Sequence, residues 1–425
     1  MENQLTSIVF LCVIIALTHF EKKFSEGYIT PFTVSAWPFV VISLLVNFYL
    51  VDLKFPEVTV RAHSFVLLNL LIFFVVGYLF SRLKVVSPGG IRTDFKGIFK
   101  PFVRFELIMM ITAIVITIAV IVRMMDLVQQ HGGWVYMGDY EFEVEINKGF
   151  VAHLFNLAKV MFVFLIFIYP YSKRKILILA TILFILVGLF IIQIKYNLFW
   201  LLLMTFFLKN LTKSAGLQLR NIIILGLILA AILVLFFLIL TVIWGTFDPG
   251  KMGVWQYLIN AFLNYLVTGF VLLDNWLNFP GIRPEWAFFS VLINSINVLT
   301  GNPARIRAVN YLNIGFLQVT PQIQSNVGTS FGATYLIGGY PFTILFSIIT
   351  SVAAYYLYFK YYHTKKVLII YFNLFLLSIC TLQFFSNFLS VLPFYELSAF
   401  FIIVLMIFRG VLFIINLFTT HENTA

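Results

Sequence analysis

The stretch "ILILATILFILVGLFII" at 176–192 is apolar over the length of a membrane crossing. Runs of this kind recur along most of the 425-residue chain, which is 61% hydrophobic and only 11% charged. No soluble core of this size needs so many of them. A bilayer core offers no water to backbone groups, and the runs are too long and too uniformly apolar for barrel strands. The sequence therefore predicts an all-α polytopic membrane protein.

The lengths of the apolar runs predict about eleven transmembrane helices within one integral membrane domain, 1–425. The first run ends in charged residues without a small-residue cleavage site, so we expect it to be retained as a span. The predicted spans are 4–20, 32–51, 64–81, 105–122, 150–169, 176–192, 197–208, 221–244, 335–359, 367–384 and 395–416.

The distribution of basic residues predicts how the chain is oriented. Lys and Arg number 28 against 17 Asp and Glu, and most of the basic residues fall in alternate loops. Examples are "SKRK" at 172–175 and "KYYHTKK" at 360–366. Basic loops stay on the cytoplasmic side, so we expect a cytoplasmic C-terminus and an outside N-terminus. The positive charge is thus a topology signal, and no nucleic-acid partner is expected.

The longest stretch between predicted spans is 245–334, which the charge bias places outside as one large loop. Within it, "VWQYLINAFLNYLVTGFVLLDNWLNFP" at 254–280 is apolar enough to span, but a span there would put Lys360 on the wrong side. We therefore predict a re-entrant or interfacial helix, paired with "WAFFSVLINSINVL" at 286–299 and covering a cavity between spans. Function is expected in this loop.

Three arginines of the loop are candidate phosphate ligands. The segment "NPARIR" at 302–307 begins with an N-cap residue followed by proline, which predicts a short helix with Arg305 and Arg307 in its first turns. A helix N-terminus and guanidinium groups both favour phosphate. The two side chains would point nearly opposite ways, so only one can face a shared ligand. Together with Arg283, they could instead contact lipid headgroups or nearby acids.

Two lysines interrupt apolar sequence. Lys195, in "IIQIKYNLFW" at 191–200, either caps a very tight helical hairpin or lies below the surface facing a cavity, and snorkelling at the hairpin tip is an equal alternative. His153, Asn156 and Lys159 recur at three-residue spacing on one face of the fifth span, which indicates a polar seam. A structural, hydrogen-bonded seam is the more frequent explanation.

Several chemistries are excluded by the absence of their motifs. The sequence has no GxxxxGK[ST], HExxH, CxxC or GxSxG motif, and we expect neither a metal nor a cofactor. His63 and His131 have no neighbours at metal-ligand spacing, so we interpret them as surface residues. Carboxylates that could accept a proton in the large loop are Asp248, Asp274 and Glu285, each of which could also be a hydrogen-bonding or solvated group.

The loop ends in "QSNVGTSFGATYLIGGYP" at 324–341, a Gly-punctuated entry into a long apolar helix. Glycines permit close backbone approach and tight helix packing, and here they are Gly328, Gly332, Gly338 and Gly339. Candidate donors to phosphate or sugar oxygens are Asn326, Thr329 and Ser330. The simpler alternative is that Thr329 or Ser330 only caps the helix.

This layout resembles the oligosaccharide repeat-unit polymerases, also called Wzy or O-antigen polymerases. The likeness lies in many aromatic-rich spans, a hairpin with Lys195 at its turn, one large outside loop late in the chain, and the Asn–Gly–Ser–Phe–Gly entry at 326–332. It covers the architecture of the whole chain. In sequence it is concentrated in 324–341 and the preceding loop.

The resemblance implies a metal-independent glycosyltransferase of the bacterial inner membrane with a periplasmic active site. Such enzymes move a growing glycan from undecaprenyl pyrophosphate onto a fresh lipid-linked repeat unit. They depend on outside-loop arginines, for which the candidates are Arg283, Arg305 and Arg307. Ligase relatives carry a histidine in the large loop, and 245–334 has none. The implied partners are the lipid-linked oligosaccharide, membrane lipids, and a chain-length regulator and flippase of the same pathway.

Roles follow from the chemistry of this transfer. Fixed cations would stabilise the leaving pyrophosphate, and we assign Arg305, Arg283 and Lys195 to that task. Glu285 or Asp274 would accept the proton of the acceptor hydroxyl. A flippase or exporter is the main alternative, but transporters are often built from two similar halves, and the sequence shows no internal repeat. A ligase differs only in its acceptor. Further substrate contacts are expected from Arg307, Asn326, Gly328, Ser330 and Gly332.

Overall fold

The structure is a computed structural model. It describes residues 2–25, 27–83, 95–138, 140–193, 195–211, 253–279, 289–302, 317–320, 323–325, 328–386 and 391–422, and also positions 224, 231, 234, 235 and 238. Within these ranges, nine helical segments are long and apolar enough to cross a membrane. The prediction of an all-α polytopic membrane protein is therefore confirmed.

The first half of the chain forms a series of long helices joined by short ones. The long helices are α1 (Glu2–Lys22), α2 (Pro31–Leu45), α3 (Val60–Arg82), α5 (Glu106–Gln130), α7 (Phe150–Ile168), α8 (Lys175–Ile192) and α9 (Lys195–Leu211). A π-helical turn and a 3-10 turn extend α2 to Leu53. The short helices are α4 (Phe95–Phe99), which a 3-10 turn joins to α5, and α6 (Tyr140–Ile146).

The second half contains the elements around the predicted outside loop and three more long segments. Helices α10 (Val254–Val271), α11 (Leu273–Trp276) and α12 (Ser290–Leu299) are followed by strands β1 (Leu317–Thr320) and β2 (Ile323–Ser325). The strands pair antiparallel. The long helices are α13 (Ser330–Tyr361), α14 (Val367–Thr381) and α15 (Leu392–Glu422).

Several predicted spans differ from the helices observed. The predicted span 221–244 lies almost wholly outside the described residues. Helix α9 covers the predicted span 197–208 but is shorter than the nine spanning segments. Helix α5 continues eight residues beyond its predicted end at 122. Helix α13 begins at Ser330, before the predicted start at 335, because Thr329 caps it there.

Polar contacts define the two ends of the helix bundle. The Asn47 side chain, at the end of α2, donates to the Asn3 carbonyl at the start of α1 (3.1 Å) and to the Val58 carbonyl just before α3 (3.0 Å). We call this end the Asn3 face. At the other end, the Thr30 hydroxyl before α2 donates to the Glu21 carboxylate of α1 (2.6 Å). We call that end, which carries the last turn of α1, the Lys22 face.

Contacts between the helices show which other helix ends lie at each of these two faces. Helix α13 runs parallel to α3, because Tyr340 packs on Phe65, the Ser347 hydroxyl donates to Asn69 (2.7 Å) and the Tyr355 ring lies against Gly77. Helix α15 runs parallel to α7, with Glu396 beside the first turns of α7 and Phe401 stacked on Phe164. Phe95 of α4 contacts Tyr361 at the end of α13 (5.6 Å), and Phe99 of α4 contacts Phe167 at the end of α7 (4.6 Å), so α7 ends at the Lys22 face. The starts of α3, α7 and α15 therefore all lie at the Asn3 face.

Aromatic rings form much of the contact between helices. At the Lys22 face, the Phe99 ring lies 4.6 Å from that of Phe167, and Phe105 stacks on Phe408 at 4.4 Å, so the α4–α5 segment packs against α7 and α15. Lipid tails are as apolar as the helices, so association depends on such close packing rather than on a hydrophobic driving force. The high Phe and Tyr content is explained by these contacts.

Candidate functional site

The predicted outside loop meets α13 in a closely packed contact at the Asn3 face. Its centre is Trp276 of α11, which is only 2% exposed. A side chain at position 328 would collide with the Trp276 ring, and one at 332 would lie 3.0 Å from Leu273 Cδ1. Close approach at Gly328 and Gly332 is therefore confirmed, because only glycine leaves room for the indole. We call Gly269, Trp276, Gly328, Thr329 and Gly332 the junction.

The backbone of α10 completes the junction. A Cβ atom at Gly269 would lie 2.6 Å from the Phe384 carbonyl oxygen and 3.5 Å from the Thr329 nitrogen. One residue earlier, the Thr268 and Ser325 hydroxyls are 2.9 Å apart. The end of α10 is thus held between β2, the start of α13 and the turn that follows α14. The loop is anchored to the spans by its own backbone.

Thr329 is the N-cap of α13. Its buried hydroxyl accepts a hydrogen bond from the Gly332 nitrogen at 2.9 Å. The capping alternative is therefore confirmed for Thr329. Ser330, the first helical residue, is 2% exposed and its carbonyl accepts from the Thr334 hydroxyl at 3.1 Å. The start of this helix lies inside the protein rather than on its surface.

Helix α13 is broken at Gly338 and Gly339, where the backbone leaves helical geometry and Gly339 has φ of 63°. The Thr334 hydroxyl nevertheless lies 3.4 Å from the Thr343 hydroxyl. Nine residues of continuous helix would separate these positions by about 13.5 Å along the axis. The segment 330–337 therefore folds back on the span that follows it. The predicted span 335–359 lies within the spanning segment Ser330–Tyr361, but the break at Gly338 and Gly339 was not predicted.

The half-helix 330–337 begins below the ends of the neighbouring spans. Phe331 stacks on Phe39, near the middle of α2, at 5.8 Å, and Phe270 contacts the same ring edge-on at 5.2 Å. At the other end of the half-helix, Tyr335 packs on Phe65 near the start of α3 (5.4 Å). The N-terminus of the half-helix, which carries partial positive charge, therefore lies within the bundle.

Asp274 is the predicted acid that the structure places beside the junction. It lies in α11 between Leu273, which faces Gly332, and the buried Trp276. Its Oδ1 atom is buried and has no hydrogen-bond partner among the described residues. An unsatisfied buried acceptor costs about 1–3 kcal/mol unless a donor reaches it. Of the three predicted proton acceptors, Asp274 is the one whose position the structure describes. That position is suited to contact with a ligand.

The other predicted site residues divide into two groups. Lys195 is the first residue of α9, two residues after Gln193, whose φ of 62° turns the chain between α8 and α9. This geometry supports the tight hairpin. The predicted helix at 302–307 falls almost entirely outside the described residues. Also outside them are Asp248, Arg283, Glu285, Arg305, Arg307 and Asn326.

The segment 286–299 contains a helix, α12, as predicted, and its pairing with α10 stays a prediction. The strands β1 and β2 were not predicted, although "LQVTPQIQS" at 317–325 shows the alternation of a short hairpin. That signal could have identified them.

A second polar group links α7 to α15 at the Asn3 face. His153 Nδ1 lies 2.7 Å from Glu396 Oε1, and the Asn156 amide donates to Glu396 Oε2 at 2.5 Å. The Lys159 ammonium donates to Asn156 Oδ1 at 2.8 Å and is 2% exposed. We call His153, Asn156, Lys159 and Glu396 the seam. The predicted seam is confirmed, but sequence reasoning missed Glu396, which lies 240 residues further along.

The interpretation of His63 as a surface residue was wrong. His63 is 3% exposed, with Nε2 2.6 Å from the Ser43 hydroxyl and Nδ1 2.7 Å from the Thr59 carbonyl. Its ring also lies 5.3 Å from that of Phe270 in α10. Because both ring nitrogens have partners, the imidazole can be buried at the start of α3. It helps to hold α10 against the spans.

These features define a polytopic helical membrane protein with a broken helix at one face. The chain belongs to DUF6337, a family of unknown function, whose model matches residues 34–413. The matched range includes every residue of the junction and the seam. No curated protein and no solved structure matches the chain.

Proposed function

We propose that the protein polymerises undecaprenyl-pyrophosphate-linked oligosaccharide repeat units into O-antigen or a related surface polysaccharide. In this proposal the Asn3 face is the periplasmic face of a bacterial inner membrane. The observation that carries it is the buried N-terminus of the half-helix 330–337, beside Trp276 and Asp274. The large loop is fixed to the same face, since Arg61 donates to the Leu277 carbonyl at 2.8 Å.

The junction has the chemistry that a pyrophosphate-linked sugar requires. Backbone N–H groups at a helix N-terminus favour phosphate oxygens, and the half-helix 330–337 begins inside the bundle beside Asp274. In the transfer, an acceptor hydroxyl attacks the anomeric carbon and undecaprenyl pyrophosphate leaves with the bonding electrons. Asp274 or Glu285 takes the hydroxyl proton. Arg283, Arg305 and Lys195 supply positive charge to the leaving group, so no metal is required.

A flippase or exporter is the second candidate, and the break in α13 favours it. Discontinuous helices with buried half-helix N-termini are a recurring feature of transporter substrate sites. Against it, the sequence shows no internal repeat and predicts one large loop late in the chain. A ligase would use the same site with a different acceptor.

The surface glycan ladder distinguishes these functions. Cells that lack the protein are compared with cells that carry it, and the lipopolysaccharide is separated by length. A polymerase predicts loss of the ladder with a single repeat unit still attached to the core. Loss of every repeat unit, with lipid-linked units accumulating inside, would support the flippase. Finished polymer that stays on its lipid carrier would support the ligase, and an unchanged ladder would contradict all three.

Substitution of the loop arginines tests the pyrophosphate assignment. Arg305→Ala and Arg283→Ala should abolish the ladder while the protein still inserts into the membrane. Arg409→Ala is the matched control, because Arg409 is an exposed arginine in the second half of α15, away from the Asn3 face. Normal long chains in both loop variants would contradict the assignment.

The orientation is tested separately by reporters fused to the two ends of the chain. A reporter that is active only in the cytoplasm should work at the C-terminus, and one that is active only outside should work at the N-terminus. The reverse pattern would put the junction on the cytoplasmic side and would exclude a periplasmic polymerase.

A further inference from the structure

A cleft opens between α1 and α3 towards the Lys22 face, at the opposite end of the bundle from the junction. Its volume is about 490 Å³, within the range typical of ligand pockets. Apolar or aromatic side chains form its walls: Leu17, Phe20, Phe24, Phe74 and Tyr78. Lys23 and Arg82 complete the lining, and both are cations.

Aromatic contacts join the walls of the cleft. The Phe24 ring meets Phe74 edge-on at 5.8 Å and Tyr78 edge-on at 5.7 Å. Phe74 in turn packs on Phe32 of α2. The aromatic surface is therefore already packed in the absence of a ligand, and a surface packed in this way lowers the entropic cost of binding.

Each of the two cations lies beside an aromatic ring. The Lys23 ammonium lies 5.1 Å from the centre of the Phe20 ring. The Arg82 guanidinium lies 5.1 Å from the centre of the Tyr78 ring, and its Nε donates to the Tyr78 hydroxyl at 3.1 Å. Neither cation pairs with a carboxylate in the part of the chain that the structure describes. The cleft therefore combines an apolar wall with two cations that pair with no carboxylate among the described residues.

We propose that this cleft binds one anionic phospholipid. Its phosphate lies between Lys23 and Arg82, and one acyl chain packs along Leu17, Phe24 and Phe74. The Tyr78 hydroxyl accepts from Arg82, so its own proton is available to a phosphate oxygen. Basic pockets between membrane helices bind anionic headgroups in this manner. The site is separate from the junction and does not depend on the proposed polymerase activity.

Native mass spectrometry of the purified full-length protein tests the site. The protein is delipidated in detergent and titrated with phosphatidylglycerol or with phosphatidylcholine, which has the same phosphate but no net charge. We expect phosphatidylglycerol to remain bound with an affinity at least about tenfold higher. Equal binding of the two lipids would overturn the proposal.

Variants locate the binding. Lys23→Gln combined with Arg82→Gln should lower the phosphatidylglycerol affinity at least about tenfold. Lys22→Gln is the matched control, because Lys22 packs over Tyr28 at 4.3 Å and does not line the cleft. The control should bind as the unsubstituted protein does. An equal loss in the control, or no loss in the double variant, would overturn the site.

Competition experiments distinguish the source of the phosphate. Inorganic phosphate that displaces the lipid at equal concentration would show a simple anion site and overturn the lipid assignment. Undecaprenyl phosphate that binds more tightly than phosphatidylglycerol would replace the phospholipid by a polyprenyl carrier and would also overturn it. Folding is monitored by the thermal midpoint without added lipid, which should be equal in all variants because both cations are exposed.

Discussion

The junction and the seam lie at the same face of the bundle, but different physical effects hold them together. At the junction, the Phe384 carbonyl approaches Gly269 and the Trp276 ring approaches Gly328. Both approaches are closer than a Cβ atom at either glycine would permit. At the seam, Glu396 joins two helices by hydrogen bonds to His153 and Asn156. The first region is sensitive to added volume. The second is sensitive to the loss of a charged partner.

The two regions also differ in whether their buried polar atoms have hydrogen-bond partners. In the seam, both Glu396 oxygens and the Lys159 ammonium have partners within the protein. At the junction, Asp274 Oδ1 is buried without a partner among the described residues, and a helix N-terminus is nearby. This difference supports a structural role for the seam, whereas the ligand-binding role of the junction is our proposal.

The largest effect on stability is expected from the seam. Glu396→Leu removes the carboxylate that contacts His153 and Asn156 and leaves the buried Lys159 with Asn156 alone, and loss of a hydrogen bond to a charged group costs about 1.5–3 kcal/mol of unfolding free energy. Unfolding is followed in detergent by denaturant titration. The double variant Lys159→Met with Glu396→Leu should recover most of the loss, because no unpaired charge remains. A double variant no more stable than Glu396→Leu would contradict this account of the seam.

A smaller loss is expected from added volume at the junction. Gly269→Val places a side chain against the Phe384 carbonyl, which cannot move aside as a flexible side chain could. Overpacking of this kind costs about 1–3 kcal/mol. Gly410→Ala is the control, since a Cβ atom at position 410 would meet nothing within 4 Å. The same denaturant titration compares the two, and similar stability would argue against close packing at the junction.

A modest effect is expected from the helix cap. Thr329→Ala removes the hydroxyl that accepts from the Gly332 nitrogen, and loss of such a cap costs about 1 kcal/mol. Thr329→Ser keeps the acceptor and should remain close to the unsubstituted protein. Thermal midpoints in detergent measure both. Equal midpoints for the Ala and Ser variants would show that the cap does not stabilise the half-helix.

The membrane-spanning architecture could be predicted because each span must be a long apolar run, whatever its neighbours are. The tight turn at Lys195 and the seam on α7 were also visible, since both depend on residues close in sequence. Glu396 was not, because helical periodicity on α7 carries no information about a partner on α15. His63 was misread for a similar reason. Its burial depends on two hydrogen-bond partners, the nearby Thr59 carbonyl and Ser43, and Ser43 lies on another helix, α2.

The break in α13 was the main feature of the site that the sequence concealed. Gly338 and Gly339 were interpreted as close-packing residues, which is the commoner use of glycine in membrane helices. The positive φ of Gly339 instead folds the half-helix back on its span. Hydropathy cannot distinguish the two, because the sequence remains apolar on both sides of the break.

The most direct test of the central claim is the product length made by the purified protein in proteoliposomes. The only substrate supplied is an undecaprenyl-pyrophosphate-linked repeat unit, and products are resolved by mass spectrometry beside the released lipid carrier. A polymerase is expected to make glycans of two or more repeat units and to release free undecaprenyl pyrophosphate. Single units alone, with no carrier released, would contradict the claim.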